Sequence, residues 1–490
     1  MKFIKTLKII SSLLVITVVD CSDIETTKNS LDSSSRELNR KDELIGIALS
    51  GNWKTTDDEI EKALLQAFSS DSRSLNTAVP KISKINSTEI PVEKSYSKDR
   101  SAKIEECNNF EFDLYSLESE GYTGYAITSN DKRIGNVISI VDSEFQEDIS
   151  NDDFSIMYAE MLESYIKSTS DLWNSISDKD INDYKARAAY KDIVTSGDYT
   201  YSAWKRNFGN NLYELKTDWD QDPDPFNSCI VSLVGNGAYY VGCGAVQVAQ
   251  ILAFHKYPNS FSSPNLSKIK QKWAISSNWN GKYDWNLLTS VRKPSRNSSA
   301  ELRTQIGALM YDVAQGCQST YSQTGTNSNT DVRLNYLKSL GYTYKGTSGY
   351  SLENIKNSIN AGCPVLMRGD SKKTVTTKTT TYKFLFWKWK RTSSSTSYSG
   401  GHAFIIDGYY NMSCTASNGK NSYTLKADFV HCNPGWGGFQ NGYYLSGVLD
   451  MNTGALVDDD GIDRASTTYG ESYNYQYRLS QVNMLKPKGR

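Results

Sequence analysis

The sequence predicts an α+β protein made of a small amino-terminal unit and a larger carboxy-terminal unit. The chain has 490 residues, about three times the length of a typical single domain. Hydrophobic residues make up 38%, with 32 Tyr and 10 Trp, which is typical of folded domains. In the larger unit, helical patterns come first and strand patterns follow. This order disfavours a doubly wound sheet, in which helices and strands alternate.

The charge balance restricts the classes of partner. The chain carries 54 basic and 55 acidic side chains, which gives a formal net charge of −1. Proteins that bind nucleic acids in general or coat membranes need a basic excess. We therefore expect no nucleic-acid partner, and a membrane contact only through a lipid anchor.

The first twenty residues have the pattern of a secretory signal peptide. Three lysines precede the apolar run 9–19, which is too short to span a bilayer as a helix. Cys21 follows directly and resembles a bacterial lipoprotein start, although Asp20 stands where such signals carry a small residue. Lipid attachment at Cys21 and simple secretion both remain open. The Ser-rich stretch 22–42 would be a tether in the first case and a disordered leader in the second.

The small unit is expected to combine two helices with antiparallel strands. Residues 57–68 form an amphipathic helical pattern that begins with acids, as the helix dipole favours. Alternating segments follow between 110 and 145, and a second amphipathic helix is expected over 153–173. The polar stretch 177–198 then predicts an exposed junction, with the larger unit beginning at about 196.

The larger unit, 196–490, contains four helical patterns followed by strands. Residues 372–399 interrupt the strands, are rich in Thr and Lys, and contain the aromatic and basic core 383–391. We interpret this segment as an inserted, solvated hairpin, an interpretation favoured over a nucleic-acid surface. The expected helices are 243–256, 300–314, 331–340 and 352–360, and the expected strands are 365–367, 402–410, 423–433, 442–445 and 475–485.

One of the eight cysteines stands at a helix start. Spacings are irregular and no C-x-x-C motif occurs, which disfavours a disulfide framework and a structural zinc site. Cys243 lies between two glycines and opens an almost continuously apolar helix that ends before Pro258. Helix-terminal N–H groups and the macrodipole lower a thiol pKa and can hold an oxyanion. Cys243 is therefore a candidate nucleophile, with a buried cap residue as the alternative.

The three histidines differ in their suitability as a base for Cys243. His255 lies along the same helix, roughly 18 Å away at 1.5 Å per residue. His431 and Asn433 share one strand at i and i+2, about 6.6 Å apart, whereas cross-strand neighbours approach to about 4.5–5.5 Å. We therefore predict that His402 is the base, paired across strands with Asn433, and that His431 is a packed core residue.

The order of these residues is that of papain-like thiol peptidases, in which an upstream Gln, here Gln221, supplies an oxyanion donor. More specific motifs resemble the streptopain family of bacterial cysteine peptidases. The stretch 217–227 resembles that family's segment with the oxyanion Gln, and 124–141 is similar to its inhibitory propeptide. The other motifs are the segments 242–258, 401–409, 431–438 and 441–444.

The resemblance implies a two-lobed, papain-like peptidase domain over 196–490, preceded by a leader and inhibitory propeptide over 21–195. It implies that Cys243 is the nucleophile and His402 the base, with Asn433 and Gln221 in support. One departure concerns the residue after the Asn, which is usually Trp in the family and is Pro434 here. Trp436 is retained, and we expect it to orient the site or contact the substrate.

The expected function is that of a cysteine endopeptidase that is made as a zymogen and is secreted or anchored to the bacterial cell envelope. Its partners would be protein or peptide substrates and its own propeptide, with no metal or organic cofactor. A second hypothesis keeps the fold without catalysis, as a surface binding protein. A third is an acyltransferase or amidase that uses the same triad.

Overall fold

The computed structural model describes residues 40–69, 80–91, 99–150, 152–188, 200–211, 215–235, 237, 239–273, 279–321, 325–373, 380–391, 397–398, 401–417, 422–450 and 476–489. The predicted signal peptide, Cys21 and most of the stretch 22–42 lie outside the described residues. Within these ranges, no helix is long and apolar enough to cross a membrane.

The amino-terminal unit contains both predicted helices and two that were not expected, Arg40–Ser50 and Asp178–Ala188. Ser177 and Asp180 exchange side-chain bonds with each other's backbone N–H groups, at 2.9 and 3.2 Å, and so start a helix inside the stretch predicted as an exposed junction. The elements are α1 (Arg40–Ser50), α2 (Asp57–Ser69), β1 (Lys81–Pro91), β2 (Asn109–Ser119), β3 (Tyr122–Ser129), β4 (Val137–Val141), α3 (Asp153–Asn174) and α4 (Asp178–Ala188).

The carboxy-terminal unit follows the predicted order of helices before long strands. Its elements are β5 (Thr200–Tyr201), β6 (Lys205–Asn211), α5 (Ser228–Val234), α6 (Cys243–His255), α7 (Leu266–Lys272), α8 (Trp285–Leu288), α9 (Ala300–Gly316), β7 (Thr320–Tyr321), β8 (Thr326–Asn327), α10 (Thr330–Ser339), β9 (Tyr342–Thr343), β10 (Gly346–Gly349), α11 (Leu352–Asn360), β11 (Val365–Lys373), β12 (Thr380–Phe384), β13 (Trp387–Arg391), β14 (Ser397–Tyr398), β15 (His402–Ser417), β16 (Ser422–Asn433), β17 (Gly442–Leu445), α12 (Ser446–Leu449), β18 (Gln476–Asn483) and β19 (Lys486–Pro487).

One large sheet runs through both units. Its order is β1-β2-β3-β4-β17-β16-β15-β11-β18-β10, so the amino-terminal strands extend the sheet of the carboxy-terminal unit. The junction is the antiparallel pair β4–β17, in which Val141 lies opposite Gly442 and Ile140 opposite Tyr443. A Cβ at Gly442 would lie 2.4 Å from the Ile140 carbonyl oxygen, so a glycine is needed for this approach.

Two hydrophobic clusters support these elements. The first joins the amino-terminal helices to the large sheet, and the second lies among the helices of the carboxy-terminal unit, including α6. Helix α6 packs against β15 on one side and α9 on another, which explains its almost continuously apolar sequence. The mixture of helices and sheet agrees with the predicted α+β class. The two-lobed, papain-like arrangement stays a prediction.

The inserted segment forms the predicted hairpin, β12–β13. Contrary to our prediction of a solvated hairpin, its aromatic residues are buried. Trp387 and Trp389 are 3% and 2% exposed. Because side chains of a strand alternate, Tyr382, Phe384 and the two tryptophans share one face, while the lysines between them lie on the other. The aromatic face is part of the first hydrophobic cluster, which corrects the prediction of a solvated hairpin.

Candidate active site

Cys243 occupies the first position of α6 and is partly exposed. Gly242 caps this helix with φ +97°, a conformation that favours glycine. A Cβ on Gly242 would also lie 2.9 Å from the Thr326 side chain. Helix α6 therefore places the Cys243 thiol where unpaired N–H groups and the positive end of the dipole converge.

Strand β15 brings His402 beside this thiol. The Ala403 N–H donates to Cys243 Sγ at 3.4 Å, so the first residues of β15 lie against the helix start. Burial raises the pKa of the Cys243 thiol, but the charge of His402 and its hydrogen bond outweigh burial and lower the pKa to about 7. Burial lowers the pKa of His402, but the Cys243 thiolate raises it to about 9. Each pKa shift favours the charged form of its group, the thiolate of Cys243 and the imidazolium of His402.

A carbonyl orients the imidazole of His402. The Nε2 atom lies 2.8 Å from the Pro434 carbonyl oxygen, and a carbonyl can only accept. Nε2 therefore carries a proton, which leaves Nδ1 as the atom that can exchange a proton with the Cys243 thiol. The Trp436 ring stacks on the His402 ring at 6.1 Å and 12°. Trp436 thus lies over the imidazole, and its orienting role stays a prediction.

The predicted pairing of His402 with Asn433 does not form. In the β15–β16 register Asn433 lies opposite Ile405, and His402 lies opposite Gly369 of β11 instead. The Asn433 side chain donates to the Thr217 carbonyl at 3.1 Å and accepts from the Gly435 N–H at 3.0 Å. Asn433 therefore fixes the turn that presents the Pro434 carbonyl to His402, rather than contacting the imidazole.

Gln221 is attached to the loop that leads into α6. Its backbone carbonyl accepts from the Val241 N–H at 2.8 Å, two residues before Cys243. The side chain is 4% exposed, and its Nε2 has no hydrogen-bond partner among the described residues. A buried amide donor without an acceptor is the arrangement that an oxyanion site requires before substrate binds.

The other two histidines lie away from the thiol. His255 is at the far end of α6, and its ring contacts Phe254 and Tyr342. His431 is buried as predicted, but it also forms a pair that we did not foresee. Its Nδ1 lies 2.5 Å from Asp407 Oδ1, and its Nε2 lies 3.9 Å from Asp142 Oδ2 of the amino-terminal unit.

The amino-terminal unit covers the candidate site. Phe154, in the first turn of α3, is fully buried, and its ring meets the His402 ring edge to face at 6.1 Å and 64°. Phe404 and Tyr444 pack around the same ring at 5.2 and 5.3 Å. His402 is 1% exposed as a result. Nothing in the sequence near 154 signals this contact, because it joins residues almost 250 positions apart.

No group of His, Cys, Asp and Glu in the described part of the chain is arranged to hold a metal ion. The seven cysteines there are all free thiols.

Comparisons with known proteins show what this chain is similar to. Residues 219–444 match the model of the peptidase C10 family. Streptopain of Streptococcus pyogenes is 24% identical over 351 residues, which cover 67% of this chain and 72% of streptopain. Streptopain of Streptococcus pyogenes serotype M1 is 25% identical over 351 residues, which again cover 67% of this chain and 72% of the relative. The resemblance inferred from the motifs is thus confirmed: residues 219–444 match the peptidase C10 family, and streptopain is a homologue of this chain.

Proposed function

We propose that this chain is a cysteine endopeptidase, made as a zymogen, in which Cys243 is the nucleophile and His402 the general acid and base. The observation that carries the proposal is the placement of the Cys243 thiol at the start of α6 beside His402. The match to a peptidase family and the homology to streptopain support a cysteine peptidase independently.

The proposed reaction begins with attack of the Cys243 thiolate on the carbonyl carbon of the scissile peptide bond. A C–S bond forms, and the carbonyl electrons move to oxygen, where the Cys243 N–H and Gln221 Nε2 would donate to the oxyanion. His402 Nδ1 gives its proton to the leaving amine as the C–N bond breaks. His402 then takes a proton from water, which hydrolyses the thioester and restores the thiolate.

In this proposal, the backbone carbonyl of Pro434 supports the His402 ring. The position after the Asn is usually Trp in the family, so the substitution could have removed a support for the base. In this chain the Pro434 carbonyl accepts from Nε2 at 2.8 Å, and Trp436 stacks on the ring. Both contacts would hold His402 with Nδ1 toward Cys243 during the proton transfers.

The amino-terminal unit would act as an inhibitor in the full chain. Phe154 lies against the imidazole where a substrate would need to approach, and β4 pairs with β17 next to the site. We infer that proteolysis between the two units, followed by release of the amino-terminal unit, generates the active enzyme. Export through a signal peptide over 1–20, with or without lipid attachment at Cys21, would place the enzyme outside the cell or on its envelope.

The proposal is tested by comparing the full chain with its Cys243→Ala variant on a protein substrate such as casein. We expect the full chain to process itself and hydrolyse casein, and Cys243→Ala to do neither. Cys317→Ala is the matched control, because Cys317 is a fully buried thiol at the end of α9. Equal hydrolysis by the full chain and Cys243→Ala would overturn the assignment. Sequencing the amino terminus of the processed protein would locate the cleavage.

A further inference from the structure

We propose that the hairpin β12–β13 is a docking element that binds an extended segment of a protein substrate carrying an aromatic residue followed by an acidic one. This inference rests on the proposed peptidase function and adds a substrate-binding surface to it. The observation behind it is that a segment of the chain itself, residues 145–149, already occupies this surface. We call that segment the strap.

The strap binds the outer edge of β13 through its backbone. The Lys388 N–H donates to the Glu147 carbonyl at 2.8 Å, and the Ile149 N–H donates to the Lys388 carbonyl at 3.0 Å. These two bonds give the pattern of a parallel strand added to a sheet edge. Such bonds use only backbone atoms, so they do not depend on the strap's own sequence.

Side chains of the strap contact the hairpin in two ways. The Phe145 ring lies 6.5 Å from Phe386 and 6.4 Å from Trp387, which places it at the tip of the aromatic face. The Glu147 carboxylate lies 3.2 Å from Lys388 Nζ, on the basic side of the same strand. An aromatic residue with an acid two positions later therefore matches both the aromatic and the basic side of the hairpin.

Two donors of the hairpin have no acceptor while the strap is bound. Trp387 Nε1 and Trp389 Nε1 are buried and have no hydrogen-bond partner among the described residues. Buried indole N–H groups usually find a partner, so these two are unusual for a surface whose only purpose is packing. Carbonyl oxygens of a bound polypeptide would supply the missing acceptors.

The hairpin lies within reach of the candidate active site. From Ile149 the chain continues to the α3 cap at Asp152 and then to Phe154, whose ring contacts His402. Five residues span at most roughly 17 Å. A polypeptide held by β13 can therefore extend to the Cys243–His402 pair. When the amino-terminal unit leaves, the strap leaves with it, and the docking edge becomes available to substrate.

A proline at position 388 tests the docking edge without disturbing the hairpin itself. Lys383 and Lys388 are opposite each other, next to the pair Phe384–Trp387 that closes the turn. Since both backbone groups of Lys388 bond to the strap, its N–H points away from β12. Lys388→Pro removes that donor, and proline is tolerated at such outward positions. Lys383→Pro is the matched control on the opposite edge, where no strand other than β13 pairs with β12 among the described residues.

The experiment compares casein with a short chromogenic tetrapeptide, both hydrolysed by the processed full chain. We expect Lys388→Pro to lower kcat/KM for casein by roughly five- to tenfold, with the tetrapeptide unaffected, and Lys383→Pro to change neither. A peptide of residues 144–150 should compete with casein and not with the tetrapeptide. The same peptide with Phe145→Ala should compete more weakly.

The outcomes separate this inference from the proposed function. If the wild-type chain hydrolyses the tetrapeptide and casein but Lys388→Pro treats casein as wild type does, the docking element is overturned and the peptidase stands. If the wild-type chain hydrolyses neither, the peptidase proposal fails and takes this inference with it. In the unprocessed Cys243→Ala chain, amide exchange at Ile149 should be faster with Lys388→Pro than with Lys383→Pro.

Discussion

The ring of Phe154 meets the ring of His402 edge to face, with 6.1 Å between their centroids. The contact joins the first turn of α3 to the first residue of β15, and so joins the amino-terminal unit to the candidate base. Phe154 has no exposed surface and is surrounded by His402, Phe404 and Tyr444. It is therefore the side chain whose removal should open the site most directly.

Phe154→Ala should make the unprocessed chain reactive toward an epoxide probe of cysteine peptidases. Truncation of a buried Phe costs about 3–5 kcal/mol and leaves a cavity next to the imidazole. We expect faster labelling of Cys243 before processing, measured by mass spectrometry. Phe112→Ala, at an equally buried position in β2, is the control for loss of stability alone. Equal labelling of both variants would show that destabilisation, and not uncovering of His402, causes the effect.

Alkylation of Cys243 by iodoacetamide should depend on pH with a midpoint near 7 in the full chain. Burial raises the pKa of this thiol, but the charge of His402 outweighs it and lowers the pKa to about 7. The thiolate fraction, and with it the rate, therefore rises as pH increases through 7. Removing the cation by His402→Ala should move the midpoint upward. His255→Ala, at the other end of α6, should leave it unchanged, and a midpoint unaffected by His402→Ala would contradict the assigned pair.

Gln221→Ala should lower kcat for peptide hydrolysis by roughly 10²–10³-fold, the usual effect of removing one oxyanion donor. Its Nε2 is buried without a partner among the described residues, so the substitution removes no hydrogen bond of that donor. Alkylation by iodoacetamide forms no oxyanion, and its rate should stay near that of the wild type. A parallel loss of both rates would mean that Gln221 shapes the Cys243 loop instead.

Asn433→Ala should reduce both stability and kcat. The buried Thr217 carbonyl and Gly435 N–H lose their partner, which costs roughly 2–4 kcal/mol and frees the turn that carries the Pro434 carbonyl. Asn433→Asp keeps an acceptor for the Gly435 N–H and should retain more of kcat. Thermal unfolding and kcat check this prediction. Equal kcat values for the two variants would argue against an effect through the turn.

Gly442→Ala should weaken the attachment of the amino-terminal unit. The added Cβ would lie 2.4 Å from the Ile140 carbonyl oxygen, so β4 and β17 must separate locally. We expect faster amide exchange in β4 of the Cys243→Ala chain. Gly349→Ala is a suitable control, since no atom lies within 4 Å of the added Cβ. Unchanged exchange in Gly442→Ala would mean that this pair contributes little to the attachment.

Local sequence features predicted the position of Cys243 well. The flanking glycines and the apolar run that define α6 are properties of neighbouring residues, and the helix begins at Cys243 as expected. The elimination of His255 by distance also depended only on helix geometry. Both arguments use short-range geometry, which a single sequence contains.

The support of His402 could not be predicted in the same way. Which residue lies opposite His402 depends on the register of three strands, and the β15–β16 pair contains an irregularity between Ile406 and Gly408. A register shift of this kind changes every later residue pair between the two strands, and no residue pattern in the sequence predicts it. Asn433 consequently bonds to the turn at Pro434 and to Thr217, and not to the imidazole.

The burial of the β12–β13 hairpin could be predicted only in part from the sequence. The alternation of aromatic and lysine residues in 382–390 indicates an aromatic face, so one buried side could have been predicted. The surface that buries it, around Phe145, lies more than two hundred residues away in the chain. Contacts at that separation follow from the tertiary fold alone.

The continuous sheet across β4 and β17 would make the proposed activation a two-step process. Cutting the chain between the units breaks one covalent bond, but the backbone ladder, the strap and Phe154 all remain in place. We expect the nicked protein to persist as a non-covalent complex of two polypeptides that co-migrate in size-exclusion chromatography. The rate at which activity appears would then be set by strand separation, which dilution accelerates and excess amino-terminal fragment reverses.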